Sequence, residues 1–148
     1  MIYFLDTEFN GFGGELMSLG LVRQDGESLY LVYTRPENME DWVEKNVEPI
    51  LYSVPEGATV HDVSWAEGSQ MIAGFLRNDR DVTIITDWPD DIRYFCQAII
   101  TGPGMMVNLD NITFRMVRVD AYPTKLEGAV QHNALWDAMS LKEKWMNP

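Results

Sequence analysis

The sequence predicts an α/β fold, a five-stranded mixed sheet flanked by helices, with residues 1–148 forming a single domain. Three observations carry this. Residues 2–6, Ile-Tyr-Phe-Leu-Asp, are apolar on both faces until the Asp, as a strand buried on both sides requires. Residues 17–24 and 28–34 are extended runs separated by Asp25-Gly26, an antiparallel hairpin signal. Residues 82–86, Val-Thr-Ile-Ile-Thr, are β-branched and give way to an amphipathic helical pattern.

The elements follow in order. The first strand enters a turn rich in glycine, with Phe12, Gly13 and Gly14. The next two strands complete an antiparallel meander, and Pro36 breaks the third. Residues 39–47 form a helix with Trp42, Val43 and Val47 on its apolar side, and 49–57 are irregular. Residues 64–76 form a second helix that buries Trp65, Met71, Ile72, Phe75 and Leu76. After the fourth strand, a helix over 91–100 is ended by Gly102-Pro103-Gly104. Residues 111–119 supply a last strand, 120–131 a connection, and 134–145 a closing helix. Trp42, Trp65 and Trp145 are expected to be packing residues.

Composition narrows the function. The chain carries 11 Lys plus Arg against 23 Asp plus Glu, a net charge of −12, with 46% hydrophobic residues. That is enough apolar content for a core, and too negative a surface for a basic module that reads DNA. It leaves room for an enzyme that meets phosphate through bound cations. One cysteine excludes an internal disulfide framework, and Cys96 sits in an apolar stretch as a small buried side chain. The N-terminus lacks the pattern of a secretory signal, and no apolar run is long enough to span a bilayer. A cytoplasmic location without membrane partners is the expectation.

Three groups of residues could do chemistry. Asp6 and Glu8 stand at i and i+2 of the first strand, so both carboxylates face one side. Such a pair repels unless a cation lies between, and Mg²⁺ or Mn²⁺ suits oxygen ligands. In the second group, His132 lies just before Asn133, a natural cap for the last helix, with Asp137 in its first turns. The third is Asp87-Trp88-Pro89-Asp90-Asp91, between a buried strand and a helix. Asp91, with Ile92 and Phe95 at i+1 and i+4, opens the helix, whereas Asp87 lies at the strand end. Each group has a plain alternative: a solvated strand edge, a capping neighbour, or acids complementing a helix N-terminus.

In order, Asp6-x-Glu8, Asp91 and His132-x4-Asp137 resemble the motifs of the DEDDh 3′–5′ exonucleases, whose fold is ribonuclease H-like. Phe4-Leu5-Asp6-Thr7-Glu8-Phe9 resembles the first motif and His132–Ala138 the third. In the middle motif, Asp90 precedes Asp91, and Phe95-Cys96 stands where an apolar pair is usual. The resemblance runs from residue 4 to about 145 and is nearest to compact bacterial and phage exoribonucleases, including the polyadenylate-preferring type.

The resemblance implies a strand order 3-2-1-4-5, with the first three strands antiparallel. It implies two divalent cations, Mg²⁺ or Mn²⁺, held by Asp6, Glu8, Asp91 and Asp137, with Asp6 bridging. His132 would be the general base, and nucleoside 5′-monophosphates would leave a single-stranded 3′ end, RNA favoured over DNA. Thr7 and Phe9 become substrate-contact candidates, Phe12 and Trp88 candidates for stacking on bases. Many relatives are homodimers. Asp87 stays open as the middle carboxylate. Rival readings are a DNA exonuclease of the same architecture, an endonuclease of ribonuclease H type, and an acidic interaction protein with a degenerate site.

Overall fold

The structure is a computed structural model describing residues 1–148. Its strands are β1 (Ile2–Phe9), β2 (Leu16–Arg23), β3 (Ser28–Tyr33), β4 (His61–Val63), β5 (Asp81–Thr86), β6 (Ile100–Gly102), β7 (Met105–Met106) and β8 (Asn111–Met116). Its α-helices are α1 (Asp41–Asn46), α2 (Trp65–Leu76), α3 (Pro89–Ala98) and α4 (Ala134–Met146). A 3₁₀ turn occupies Glu48–Ile50.

The main sheet has six strands in the order β4-β3-β2-β1-β5-β8. The expected five keep their relative order within it, β1–β3 antiparallel and β5 and β8 parallel additions beside β1. The expectation of five strands is corrected by β4, which pairs in parallel with β3. Three residues, His61-Asp62-Val63, are too short to show a period of two, and only pairing makes them a strand. A separate hairpin, β6-β7, corrects a second expectation. Pro103-Gly104 is its turn, with Gly104 at φ 66°, and α3 has already ended at Ala98.

The sheet divides the core in two. Tyr3, Leu5, Leu19, Leu31 and Ile84 pack with Ile72 and Leu76 of α2 and Tyr94 and Phe95 of α3. On the opposite face, Tyr30 and Val32 pack with Val43 of α1 and with Leu135 and Ala138 of α4, while Phe4 and Ile85 meet Leu141. Alternation along β1 puts Asp6 and Glu8 on the α4 side with Phe4, and Thr7 and Phe9 on the α3 side with Leu5.

Two tryptophans depart from expectation. Trp42 and Trp65 are substantially exposed, because α1 and α2 bury their stripes through Val43 and through Ile72 and Leu76. Cys96 is half-buried rather than fully enclosed. The start of α2 is fixed by a capping box: Ser64 Oγ accepts from Glu67 N at 3.2 Å, and Glu67 Oε1 accepts from Ser64 N at 3.0 Å.

Candidate metal centre

The pairing of β1 with β5 ends at Phe4 opposite Ile85, while its pairing with β2 continues through Asp6, Thr7 and Glu8. The last part of β1 therefore has a free side where β5 turns into α3. Ligands of α/β sheets gather at such a point, beyond the carboxyl ends of parallel strands.

From α3, Asp91 reaches into this crevice and is only 2% exposed. One of its oxygens, Oδ1, accepts from the Thr7 backbone N–H at 3.1 Å and the Thr7 hydroxyl at 2.7 Å. The other, Oδ2, accepts from the Thr86 hydroxyl at 2.5 Å. Residues of β1 and β5 thus clamp the carboxylate from both sides. Asp90 turns outward instead, accepting from Trp88 Nε1 at 3.1 Å and lying 3.7 Å from Arg93.

From the other face comes α4. Asn133 caps it, Oδ1 accepting from the N–H groups of Leu135 and Trp136 at 3.1 and 3.2 Å. The buried cap also ties the helix start to the body, Nδ2 donating to the Ile50 carbonyl at 2.9 Å. His132 adopts φ 72°, a strained conformation for a residue with a Cβ. That turn lets His132 N–H donate to Asp137 Oδ2 at 3.0 Å, while Tyr122 O–H donates to Oδ1 at 2.7 Å. The His132 ring meets Trp42 edge-on, centroids 5.1 Å apart.

The ligand-capable atoms fall into two groups, Glu8 with His132 and Asp137, and Asp6 with Asp87 and Asp91. Within each group they lie within 4.8 Å of one another. The structure therefore brings together Asp6, Glu8, Asp91, His132 and Asp137, and places Asp87 beside Asp91 rather than in its stead. Asp6, Asp87 and Asp137 line a cavity of roughly 240 Å³ with Asp120 and Tyr122. Asp120 and Tyr122 were invisible to sequence reasoning, since they sit in an irregular connection with no periodicity.

The residues fit a divalent cation. Asp6 Oδ2 is buried without a hydrogen-bond partner, the kind of orphaned acceptor that a cation satisfies. The donor set is mostly carboxylate oxygen, which suits Mg²⁺ or Mn²⁺.

Burial and mutual repulsion raise the carboxyls of Asp6, Glu8, Asp87, Asp91 and Asp137. For Asp6, desolvation comes first, then the charges of Asp91, Asp137, Glu8 and Asp87. Glu8 is raised by burial, Asp137 and Asp91. Burial lifts Asp91 to about 7 against the hydrogen bonds of Thr7 and Thr86, and Asp137 to about 6 against those of Tyr122 and His132. The folded chain thus binds more protons than the unfolded chain between the ordinary 3.8 and the raised 7 of Asp91. Without metal, stability falls as pH rises through that window. Melting in chelator should give a lower Tm at about pH 7.5 than at about pH 5. Mg²⁺ or Mn²⁺ at about a hundred times its Kd should raise Tm by about 8 °C at the higher pH, and less at the lower. An unchanged Tm with metal at both pH values would contradict a metal centre.

The aromatic candidates separate. Phe9 is stacked on Tyr94, centroids 4.5 Å apart, on the face away from Asp6. Thr7 has both polar groups committed to Asp91. Phe12 is 96% exposed, in a turn that Gly11 and Gly13 form at positive φ. Trp88 is 49% exposed at the start of α3, beside Asp87.

No protein-family model matches the chain. Among curated proteins, it is similar to the 3′–5′ exoribonucleases of Mycobacterium tuberculosis strains CDC 1551 / Oshkosh and ATCC 25618 / H37Rv. Each is 46% identical over 55 residues, covering 34% of this chain and 33% of the relative. The similarity thus spans about a third of the length of those exoribonucleases, and the chain carries besides it an acidic cluster able to hold divalent cations.

Proposed function

We propose that the chain is a metal-dependent 3′–5′ exoribonuclease. The observation that carries this reading is the gathering of Asp6, Glu8, Asp91, His132 and Asp137 from three separate parts of the chain into one crevice. The similarity to 3′–5′ exoribonucleases supports the choice of reaction and of RNA over DNA, and a single-stranded 3′ end is the substrate in this reading.

Asp6, Glu8, Asp91 and Asp137 would hold two divalent cations, with Asp87 adding a carboxylate beside Asp6. When bound, such cations supply Lewis-acid stabilisation of the phosphoryl oxygens. Thr7 and Thr86 hold Asp91 in one orientation, and Tyr122 with the His132 N–H does the same for Asp137. An imidazole nitrogen of His132 takes the proton of the attacking water. The water oxygen bonds to phosphorus, and the bond from phosphorus to the 3′ oxygen breaks. A nucleoside 5′-monophosphate leaves, and the freed 3′ oxygen takes up a proton from solvent to become the new 3′ hydroxyl of the shortened strand. The exposed rings of Phe12 and Trp88 are available to stack on bases.

Single-stranded RNA and DNA labelled at either end, incubated with Mg²⁺ or Mn²⁺, test the reading. Release of mononucleotides from the 3′ end, faster from RNA and stopped by EDTA, is expected. Internal cuts would favour an endonuclease, and no cleavage would leave a degenerate site. His132→Ala should lower kcat by about a hundredfold to ten-thousandfold. The variant should keep the rise in Tm with metal, because the carboxylates remain. Loss of that rise would make His132 a ligand rather than a base.

A further inference from the structure

Resting on the reading of this site as one that cuts a 3′-terminal phosphodiester, we propose that Arg118, held over Trp88, binds a backbone phosphate of the substrate strand on the 5′ side of the bond cut.

The metal-centre cavity adjoins a second of roughly 360 Å³, the two sharing Asp87 and Asp120 in their walls. Trp88 and Arg118 line the second, and Arg118 is the one cation in either wall. Two contacts set its position. Its guanidinium carbon lies over the Trp88 ring, 5.5 Å from the centroid, and Nη1 donates to the Asp87 carbonyl at 3.3 Å. Backbone from the sheet delivers it there: Val117 N–H donates to the Thr86 carbonyl at 2.8 Å, continuing the β5–β8 pairing, and Val117 is buried.

Arg118 makes no close ion pair, although its charge acts on the neighbouring Asp87 carboxylate; the fold's four ion pairs use other residues. A planar guanidinium with free donors, stacked on an aromatic ring and already oriented, matches phosphate oxygens in two-point fashion. On a chain of net charge −12 the surface repels a polyanion in general. A single cation next to the cutting site therefore has a large say in where the strand can lie. The neighbouring Trp88 ring offers an adjacent base a surface, so the pair reads one nucleotide unit upstream of the metal centre.

Steady-state degradation of an RNA oligonucleotide in Mn²⁺, by wild type, Arg118→Ala and Arg118→Gln, tests this. The substrates are the natural strand and strands with one uncharged methylphosphonate placed in turn at successive linkages 5′ of the scissile bond. Arg118 is exposed, so neither variant should disturb folding, which melting checks. Both should raise KM about tenfold, with a smaller change in kcat. The slope of log KM against log salt should fall by about 0.7. At one linkage the neutral substitution should raise KM for the wild type and add little in the variants. An equal penalty in wild type and variants at every linkage, or a fall in kcat with KM unmoved, would overturn the role of Arg118. Absence of nucleotide release by the wild type on the natural strand would overturn the underlying reading, and this role with it.

Discussion

Replacing Asp6 with Asn should lower turnover by about a thousandfold or more and, in the same protein, raise the Tm of the metal-free chain. Asp6 is strongly disfavoured as an anion, buried and facing Asp91, Asp137, Glu8 and Asp87. An amide keeps the shape and removes the charge. The repulsion that weakens the apo fold above neutral pH is reduced, and so is the site's hold on a cation. Three measurements should move together: turnover falls, Tm in chelator rises, and the rise in Tm on adding Mn²⁺ shrinks. Such opposed changes separate a functional cluster from an ordinary set of surface acids. If Asp6→Asn retained turnover, or lost stability in chelator, the cluster would not be the strained metal centre described above.

The second large effect comes from a residue with no side chain. Gly20 pairs with Asp6 across β1 and β2, and α4 starts directly over it. A Cβ at Gly20 would lie 2.5 Å from the Ala134 carbonyl oxygen, 2.7 Å from its carbon and 2.9 Å from Leu135 N. All three are backbone atoms at the first turn of α4, so no rotamer change can relieve the clash. Gly20→Ala should therefore lift the helix start, carrying Asp137 and His132 away from Glu8. A loss of about 1–3 kcal/mol in stability is expected from the overpacking. A displacement of about 1 Å should lower activity about a hundredfold. Gly74→Ala is the control. Its Cβ would meet nothing nearer than Arg77 Nη2 at 3.8 Å, inside α2, so it should stabilise the chain by about 0.5–1 kcal/mol. Equal and small effects of the two substitutions would show that α4 does not depend on its close approach to β2.

Much of this was legible in the chain itself. The central strand, the Asp25-Gly26 hairpin, the β-branched β5 and the Asn133 cap each follow from local rules, and each is present. Boundaries were less legible. The apolar pattern of β1 stops at Asp6, whereas the strand runs to Phe9, because pairing with β2 persists where the side chains turn from packing to polar chemistry. The exposure of Trp42 and Trp65 was hidden for a related reason. Helical spacing identifies a stripe, but the depth to which each ring sinks depends on what the other elements have already filled.

The site divides in the same way. Sequence supplied the acids, their spacing and the histidine, since those rest on residue type and on short-range geometry along one strand or one helix start. It could not choose between Asp87 and Asp91, which local spacing treats alike. The crevice gathers both: Thr7 and Thr86 clamp Asp91, while Asp87 lines the open cavity beside Asp6. Nor could it show Gly20 beneath α4, Tyr122 on Asp137 or Arg118 over Trp88, contacts between residues 15 to 114 positions apart or set by turns without a pattern. Charge, hydropathy and spacing are properties of neighbours along the chain, so they determined which chemically capable groups this protein carries. Distances across the sheet are fixed only when packing closes the core, so the tertiary structure alone decided which of those groups meet.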